Sequence, residues 1–323
     1  MATTIKDVAK YAGVGVGTVS RVLNGGESVH EDKAKRVREA IEALHFVPNK
    51  NASKLRKNAS GELALLVPLV NHPFFANLAY YVEDEADKYG YSVLLISSQR
   101  RIFKEEEILR RIRRKEVDGA IFVTHFEHEE KSLEGCNLVS IDRPMGENVP
   151  YVTSDNYEAT VNAIEYLISR GCKKIGYIGS KPLVESEVLR REDAYLDVMK
   201  KYGMSARIEN DVILHGEENH VAERFLEEYG DVDGVFAAGY TMAQALCNTA
   251  TKMNIRIPEQ LQAVSYDGSF EQWTGGRTLT CVEQPVEEMA RAAVRLLIDK
   301  IDGKETPVRT VLRTRFVVGN TTK

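Results

Sequence analysis

Three short stretches near the amino terminus carry apolar residues at steps of three and four. In IKDVAKYAG they are Ile5, Val8, Ala9 and Ala12, the stripe of one helical face, and Gly13 then breaks the pattern at a tight turn. In GTVSRVLN they are Val19, Val22 and Leu23, closed by Gly25-Gly26. In HEDKAKRVREAIEALHF they are Ala34, Val37, Ile41 and Leu44, with Asp and Glu in the first turn where the helix dipole favours them. Three short helices with a glycine turn between the first two predict a helix-turn-helix unit, whose second helix matches the width of the DNA major groove. Arg21 is then open between a fork onto guanine and a grip on a phosphate. Thr18, Ser20 and Asn24 offer phosphate donors, although Thr18 and Asn24 equally suit a helix cap or exit. His30 either neighbours an N-cap or touches the DNA backbone.

From Glu62 the period changes. The apolar runs LALLVPL, SVLLIS, GAIFVT, NLVSID, KIGYIG, GVFAAG and LQAVSYD alternate with helical patterns beginning near Phe75, Glu105, Tyr157, Leu189, His220, Thr241 and Val286. The last is one stripe of Val286, Met289, Ala290, Ala293, Val294, Leu297 and Ile301. Continuous apolar strands between helices predict parallel sheets covered on both faces. There are too many units for one small sheet, and SDNYEA marks a midpoint. The expected fold class is therefore α/β: a helix-turn-helix head on two doubly wound, parallel-sheet subdomains that face a cleft, with ligand at the strand carboxyl ends. The expected boundaries are 1–48 for the head, 49–60 for a linker and 61–323 for the core. The core divides into 61–155 with part of 285–323, and 156–284.

Charge sharpens this picture. The net charge of -5 conceals a head of +5 over residues 1–60 and a body of -10. The head suits a polyanion and the body would be repelled by one. The composition, 43% hydrophobic and 28% charged over 323 residues, is that of a globular chain and excludes disordered and fibrous classes. The four cysteines (136, 172, 247 and 281) form no CxxC pair. No apolar stretch approaches the roughly 18 residues of a membrane span, and the first residues are too charged for an export signal. A cytoplasmic protein with no cofactor is expected.

IKDVAKYAGVGVGTVSRVLNG resembles the amino-terminal signature of the LacI/GalR family of bacterial transcription regulators, and the likeness continues into FVPNKNASKL. The resemblance implies that positions 16, 17 and 21 read bases. Val16 and Gly17 depart from the family there, since neither makes a paired hydrogen bond. Direct readout would rest on Arg21 and on contact of Val16 with thymine methyls. Gly15 stands where relatives place a capping Ser. Ile5, Thr18, Ser20, Asn24 and His30 complete the implied DNA-binding set in the head. The resemblance also implies a hinge that is helical only on operator DNA, with Leu55 as a minor-groove wedge, Asn49 and Ala52 in matching positions, and Arg56 beside the phosphates. Read from its residues alone, the same segment is a basic linker.

The body resembles the periplasmic sugar-binding proteins that supply the family's effector domain. Candidate ligand contacts lie just past strand ends: Phe74, Phe75, Gln99, Asp142, Arg143, Ser154, Asp155, Asn156, Arg191 before its helix, and Asp267. The resemblance puts Arg191 and Asp267 at hydroxyl-gripping positions, with Asp142 as a third. Asp267-Gly268 also reads as a plain turn, and one of the two phenylalanines as core. Tyr240 takes the place of an amide found in many relatives. Trp273 either lines the far wall or packs. The set His125, Glu127, His128, Glu129 and Glu130 is better explained as a polar loop than as a metal site. The glycines at 13, 15 and 17 are wrongly spaced for a dinucleotide loop, and no GxSxG or P-loop occurs.

The resemblance implies a sugar-responsive repressor, not an enzyme. Its partners would be a pseudo-palindromic double-stranded operator, a small carbohydrate or sugar phosphate that releases it, and a second copy of itself. The chain stops soon after RFVVG without a leucine-heptad tail, so dimers are expected. The alternatives are a global carbon regulator with a phosphoprotein corepressor, and a cytoplasmic sugar-binding module without DNA function.

Overall fold

The computed structural model describes residues 3–23, 29–46, 59–212, 216–268 and 278–323. Asn24, Trp273 and the hinge candidates Asn49, Ala52, Leu55 and Arg56 lie outside the described residues. The chain divides into two compact units between Ser60 and Gly61.

The first unit holds α1 (Ile5–Ala12), α2 (Val16–Leu23) and α3 (Glu31–Ala43). Thr4 caps α1 by accepting from the Asp7 N–H, while the Asp7 carboxylate accepts from the Thr4 N–H and hydroxyl. Those bonds hold the Asp7 carboxyl below its ordinary value. Gly13 ends α1 at φ 62°, the left-handed region that glycine tolerates best. The buried residues Val8, Ala9, Ala12, Val19, Val37, Ala40 and Phe46 form one small core.

The second unit is built from two six-stranded sheets. The first contains β1 (Glu62–Val67), β2 (Ser92–Ser97), β3 (Gly119–Phe122), β4 (Leu138–Ile141), β5 (Tyr151–Ser154) and β11 (Arg309–Leu312), in the order β11-β5-β4-β3-β1-β2, all parallel. The second contains β6 (Ile175–Ile178), β7 (Ile208–Glu209), β8 (Gly234–Ala237), β9 (Gln262–Tyr266), β10 (Thr280–Glu283) and β12 (Arg315–Val317), in the order β12-β10-β9-β8-β6-β7, with only β12 antiparallel. Leaving out β11 and β12, both sheets repeat one doubly wound order. Each therefore has a topological switch point, between β1 and β3 in one and β6 and β8 in the other.

Helices cover both faces of each sheet, as continuous apolar strands require. On the first sheet α4 (Pro73–Lys88) and α11 (Val286–Ile301) pack on one face, and α5 (Ile102–Arg113) with the short α6 (Glu130–Leu133) on the other. On the second, α7 (Asn156–Ser169) and α8 (Arg190–Tyr202) take one face, and α9 (Glu218–Glu228) and α10 (Tyr240–Lys252) the other. The backbone passes between the two sheets three times, near Asp155, Gln284-Pro285 and Arg313-Thr314. Among the described residues no helix is long and apolar enough to cross a membrane.

Candidate functional site

In the head, burial of Val19 turns the opposite side of α2 outward. Val16, Gly17 and Arg21 are exposed, and Thr18 and Ser20 are half-exposed. The Gly15 carbonyl accepts from the Thr18 and Val19 N–H groups, so backbone alone starts this helix. A Cβ at Gly17 would meet nothing within 4 Å, so packing does not demand glycine there. Lys6, Lys10, Lys33, Lys35, Arg36 and Arg38 of the same unit are also exposed. Ile5 and His30 have further surroundings in the head. Ile5 is half-buried against the head core, because it begins the apolar stripe of α1. His30 occupies the N-cap position of α3 without a capping bond, and its ring lies 3.5 Å from the Asp32 carboxylate.

In the second unit a cavity of about 260 Å³ opens at the carboxyl ends of the central strands of both sheets. At the first switch point it is lined by His72, Phe74 and Phe75 after β1 and by Thr124 and His125 after β3; at the second, by Ser180 after β6 and by Gly239 and Tyr240 after β8. Phe74 is buried in the core, as one of the pair was expected to be, whereas Phe75 is half-buried and meets the rings of Phe74 and His72. His72 stands edge-on to Tyr240, with ring centroids 6.4 Å apart, so one aromatic rim spans both sheets.

Asp142 and Asp267 occupy equivalent places, each directly after the fourth strand of its sheet. Both are left-handed, with φ 61° and 65°, a conformation that Asp tolerates better than most residues. The left-handed turn at Asp267 therefore leaves the residue on the cavity wall. Burial raises both carboxyls despite the nearby Arg191 charge, Asp267 to about 6.

Arg191, near the start of α8, is buried. Its Nε donates to Asn156 Oδ1 at 2.7 Å, one Nη donates to the Ala238 carbonyl at 2.7 Å, and the guanidinium lies 3.4 Å from the centre of the Tyr266 ring. A donor fork beside two buried carboxylates, with an aromatic rim opposite, offers what a polyhydroxylated ring needs: acceptors and donors for its hydroxyls and a flat face for its C–H bonds.

Ser154 is not a lining residue. Its single hydroxyl proton goes to Gln284 Oε1 at 3.0 Å, so the Tyr266 hydroxyl, 2.9 Å away, donates to it in turn. Gln284 Nε2 then donates to both Asp267 oxygens at 3.1 Å. Ser154 thus orients Asp267 from behind. Gln99 is also outside the cavity: it is exposed, and the left-handed turn through Gln99 and Arg100 presents Arg100 instead.

The far wall carries a latch. The short helical turn Glu187–Leu189 belongs to the connection from β6 to α8, yet the Glu187 N–H and the Ser186 hydroxyl donate to the Asp142 carbonyl at 2.8 and 3.0 Å. The Glu187 carboxylate accepts from Arg309 at 2.8 and 3.0 Å and from the Tyr151 hydroxyl at 2.9 Å. Both partners sit on the first sheet.

The polar loop after β3 separates into distinct roles. His125 lines the cavity. His128 lies 2.6 Å from the buried Glu105 carboxylate, which also accepts from the Thr124 hydroxyl at 2.6 Å. Among the described residues no group of three His, Cys, Asp or Glu is placed to hold a metal ion. Sequence reasoning passed over His72, Arg100, Thr124 and Gln284, because polar residues beside strand ends are too common to single out without the topology.

A family model described as "Bacterial regulatory proteins, lacI family" matches residues 4–49, and one described as "Periplasmic binding protein-like domain" matches residues 164–322. The ribose operon repressor of Halalkalibacterium halodurans is 36% identical, over 99% of this chain and 97% of its own length. A solved transcriptional regulator CelR–cellobiose complex superposes with a TM-score of 0.73 at 29% identity, covering 99% of each chain. The lac repressor dimer bound to operator and the anti-inducer ONPF superposes with a TM-score of 0.86 at 19% identity, over 100% of this chain and 99% of that one.

Proposed function

The chain belongs to the LacI family of bacterial regulatory proteins, and from that premise we propose that it represses a carbohydrate-utilisation operon and leaves its operator when a small sugar-like ligand enters the cleft. It is a transcription regulator and not an enzyme. The observation that carries the proposal is one chain holding both parts: a basic head with the outward face of Val16, Gly17 and Arg21, and a cavity where Arg191, Asp142 and Asp267 meet an aromatic rim. In this reading Arg21 reads a base, Val16 meets a thymine methyl, and the exposed Lys and Arg of the head grip phosphates. Arg191 and Asp267 bind ligand hydroxyls, Asp142 assists, and Phe75 and Tyr240 take the ring face. The protein acts in the cytoplasm as a homodimer, which presents two heads to a two-fold operator.

The coupling is a population shift. Ligand favours the closed cleft, and tenfold weaker operator binding requires only about 1.4 kcal/mol of difference between its affinities for the two states. A mobility-shift assay on the DNA upstream of its own gene, followed by a panel of sugars, tests the reading. Retardation at low salt that a sugar relieves is expected. No retardation would reduce the protein to a cleft-binding module without DNA function.

A further inference from the structure

We propose that Asn156 is a positioning residue of the cleft: through Thr153 it ties Arg191, beside the second sheet, to Asp142 of the first, so that the two sides of the ligand site are set as one unit. The inference rests on the carbohydrate reading of this cavity and adds residues that stand behind its wall. Asn156 opens α7 directly after the first passage of the backbone between the sheets, and is 2% exposed. Neither Asn156 nor Thr153 is among the cavity-lining residues. A buried amide has to satisfy its oxygen and its N–H groups, and here the partners dictate which way it faces. Arg191 has only donors, so the Asn156 oxygen turns to it and accepts from Nε at 2.7 Å. The amide nitrogen is thereby turned to Thr153, donating to its hydroxyl at 3.2 Å and to the Ser154 carbonyl at 3.1 Å. The Thr153 hydroxyl has one proton, and gives it to Asp142 Oδ1 at 2.8 Å rather than to the Ser154 carbonyl at 3.4 Å. Arg191, Asn156, Thr153 and Asp142 therefore form one chain in which every donor points from the cation towards the carboxylate.

The same short segment, residues 153–156, also holds the other passages of the backbone. Ser154 reaches Asp267 through Gln284 at the second passage, and the Asp155 carboxylate accepts from the Thr314 N–H at 2.8 Å at the third. What the chain does for a ligand is geometric. Nε and one Nη of Arg191 are spent on Asn156 and Ala238, which fixes the plane of the guanidinium and leaves its other Nη for a hydroxyl. Thr153 holds Asp142 by one oxygen and leaves the second. A sugar that bridges Asp142 and Arg191 meets both already aligned, and is spared the cost of ordering two loose side chains.

Calorimetry on the full chain tests this, with D-ribose, D-glucose, D-fructose, sucrose and cellobiose; the sugar that the native chain binds most tightly is the probe for the variants. Thr153→Val removes the hydroxyl and keeps the shape, and should weaken that sugar about three- to tenfold, the worth of one hydrogen bond. Thr153→Ser keeps the hydroxyl and gives up a buried methyl, and should bind within about twofold of the native chain. A merely structural role for Thr153 reverses that ranking, since packing then suffers more from Ser than from Val. Asn156→Asp keeps the acceptor for Arg191 and loses the donor to Thr153, so it should cost a factor similar to that of Thr153→Val. Both cut one link, so the double variant should be no more than about twofold weaker than the worse single one. Losses that multiply in the double variant, or a Ser variant weaker than the Val variant, overturn the inference and leave the sugar-regulator reading standing. Unliganded melts report that each variant folds; should Thr153→Val not fold, native-like affinity in Asn156→Asp overturns the inference by itself. Silence of the native chain towards every sugar overturns both.

Discussion

Asp267 places a titrating carboxyl at the centre of the ligand site. Its folded-state pKa of about 6 lies above the unfolded value of about 3.9, so between those values the folded chain holds the extra proton. That contribution to stability is complete at the acid end and is lost as pH rises through 6, on the order of 3 kcal/mol at about 1.4 kcal/mol per unit. Asp142, raised in the same direction, adds to the slope. Asp267→Asn should flatten the fall in urea melts between pH 4 and 7, raise stability at pH 7 by about 1–2 kcal/mol, and weaken ligand binding about tenfold. A steeper slope in the variant would refute the assignment. Arg191→Ala should remove the ligand-dependent rise in melting temperature and cost about 2–4 kcal/mol, because Asn156 and the buried carboxylates lose their partner. In the head, Gly17→Ala should stabilise the fold by up to about 1 kcal/mol, since the site is open and helical. It should also change operator preference in a binding-site selection. Much of this site was legible as residue types after strand ends, but roles were not. Ser154 and Gln99 carried the right chemistry in the right strings, and only the hydrogen-bond chain and the left-handed turn show that one orients and the other faces away.

At the scale of elements, the long apolar runs became β1, β2, β3, β4, β6, β8 and β9, and each expected core helix begins within three residues of its expected start. The strands that escaped are short or mixed. β5 is Tyr and Val followed by Thr and Ser, β10 is four residues with Thr and Glu at its ends, β7 spans Ile208–Glu209 only, and β11 and β12 are sheet edges that carry Arg at exposed positions. A half-covered edge needs no apolar run, so its hydropathy resembles a loop. Tight packing of the central strands has a direct test. A Cβ at Gly176 of β6 would stand 2.5 Å from the ring tip of the fully buried Phe225. Gly176→Ala should cost about 1–3 kcal/mol by overpacking, read as a lower urea midpoint, and Phe225→Leu in the same chain should recover part of it. The Glu187 latch is partly exposed and correspondingly modest. Glu187→Gln should weaken ligand binding up to about fivefold, for roughly 1 kcal/mol, chiefly through faster release in stopped-flow measurements.

Taken whole, the molecule joins a head of +5 to a body of -10, so its hold on DNA is a matter of counterions. Operator affinity should fall at least about 100-fold between 50 and 200 mM salt, whereas a mutation confined to the cleft should leave that slope alone. The threefold passage of the backbone between the two sheets has a different reach, into biosynthesis. Val286, Met289, Ala290, Ala293, Val294 and Leu297 of α11 complete the core above β1, β3, β4 and β5, and β11 pairs with β5 from still later in the chain. While the ribosome translates residues 156–284, the earlier half is therefore a sheet with one greasy face half covered. It cannot finish folding until nearly all of the later half has been made, and during that interval its apolar face lies open to solvent.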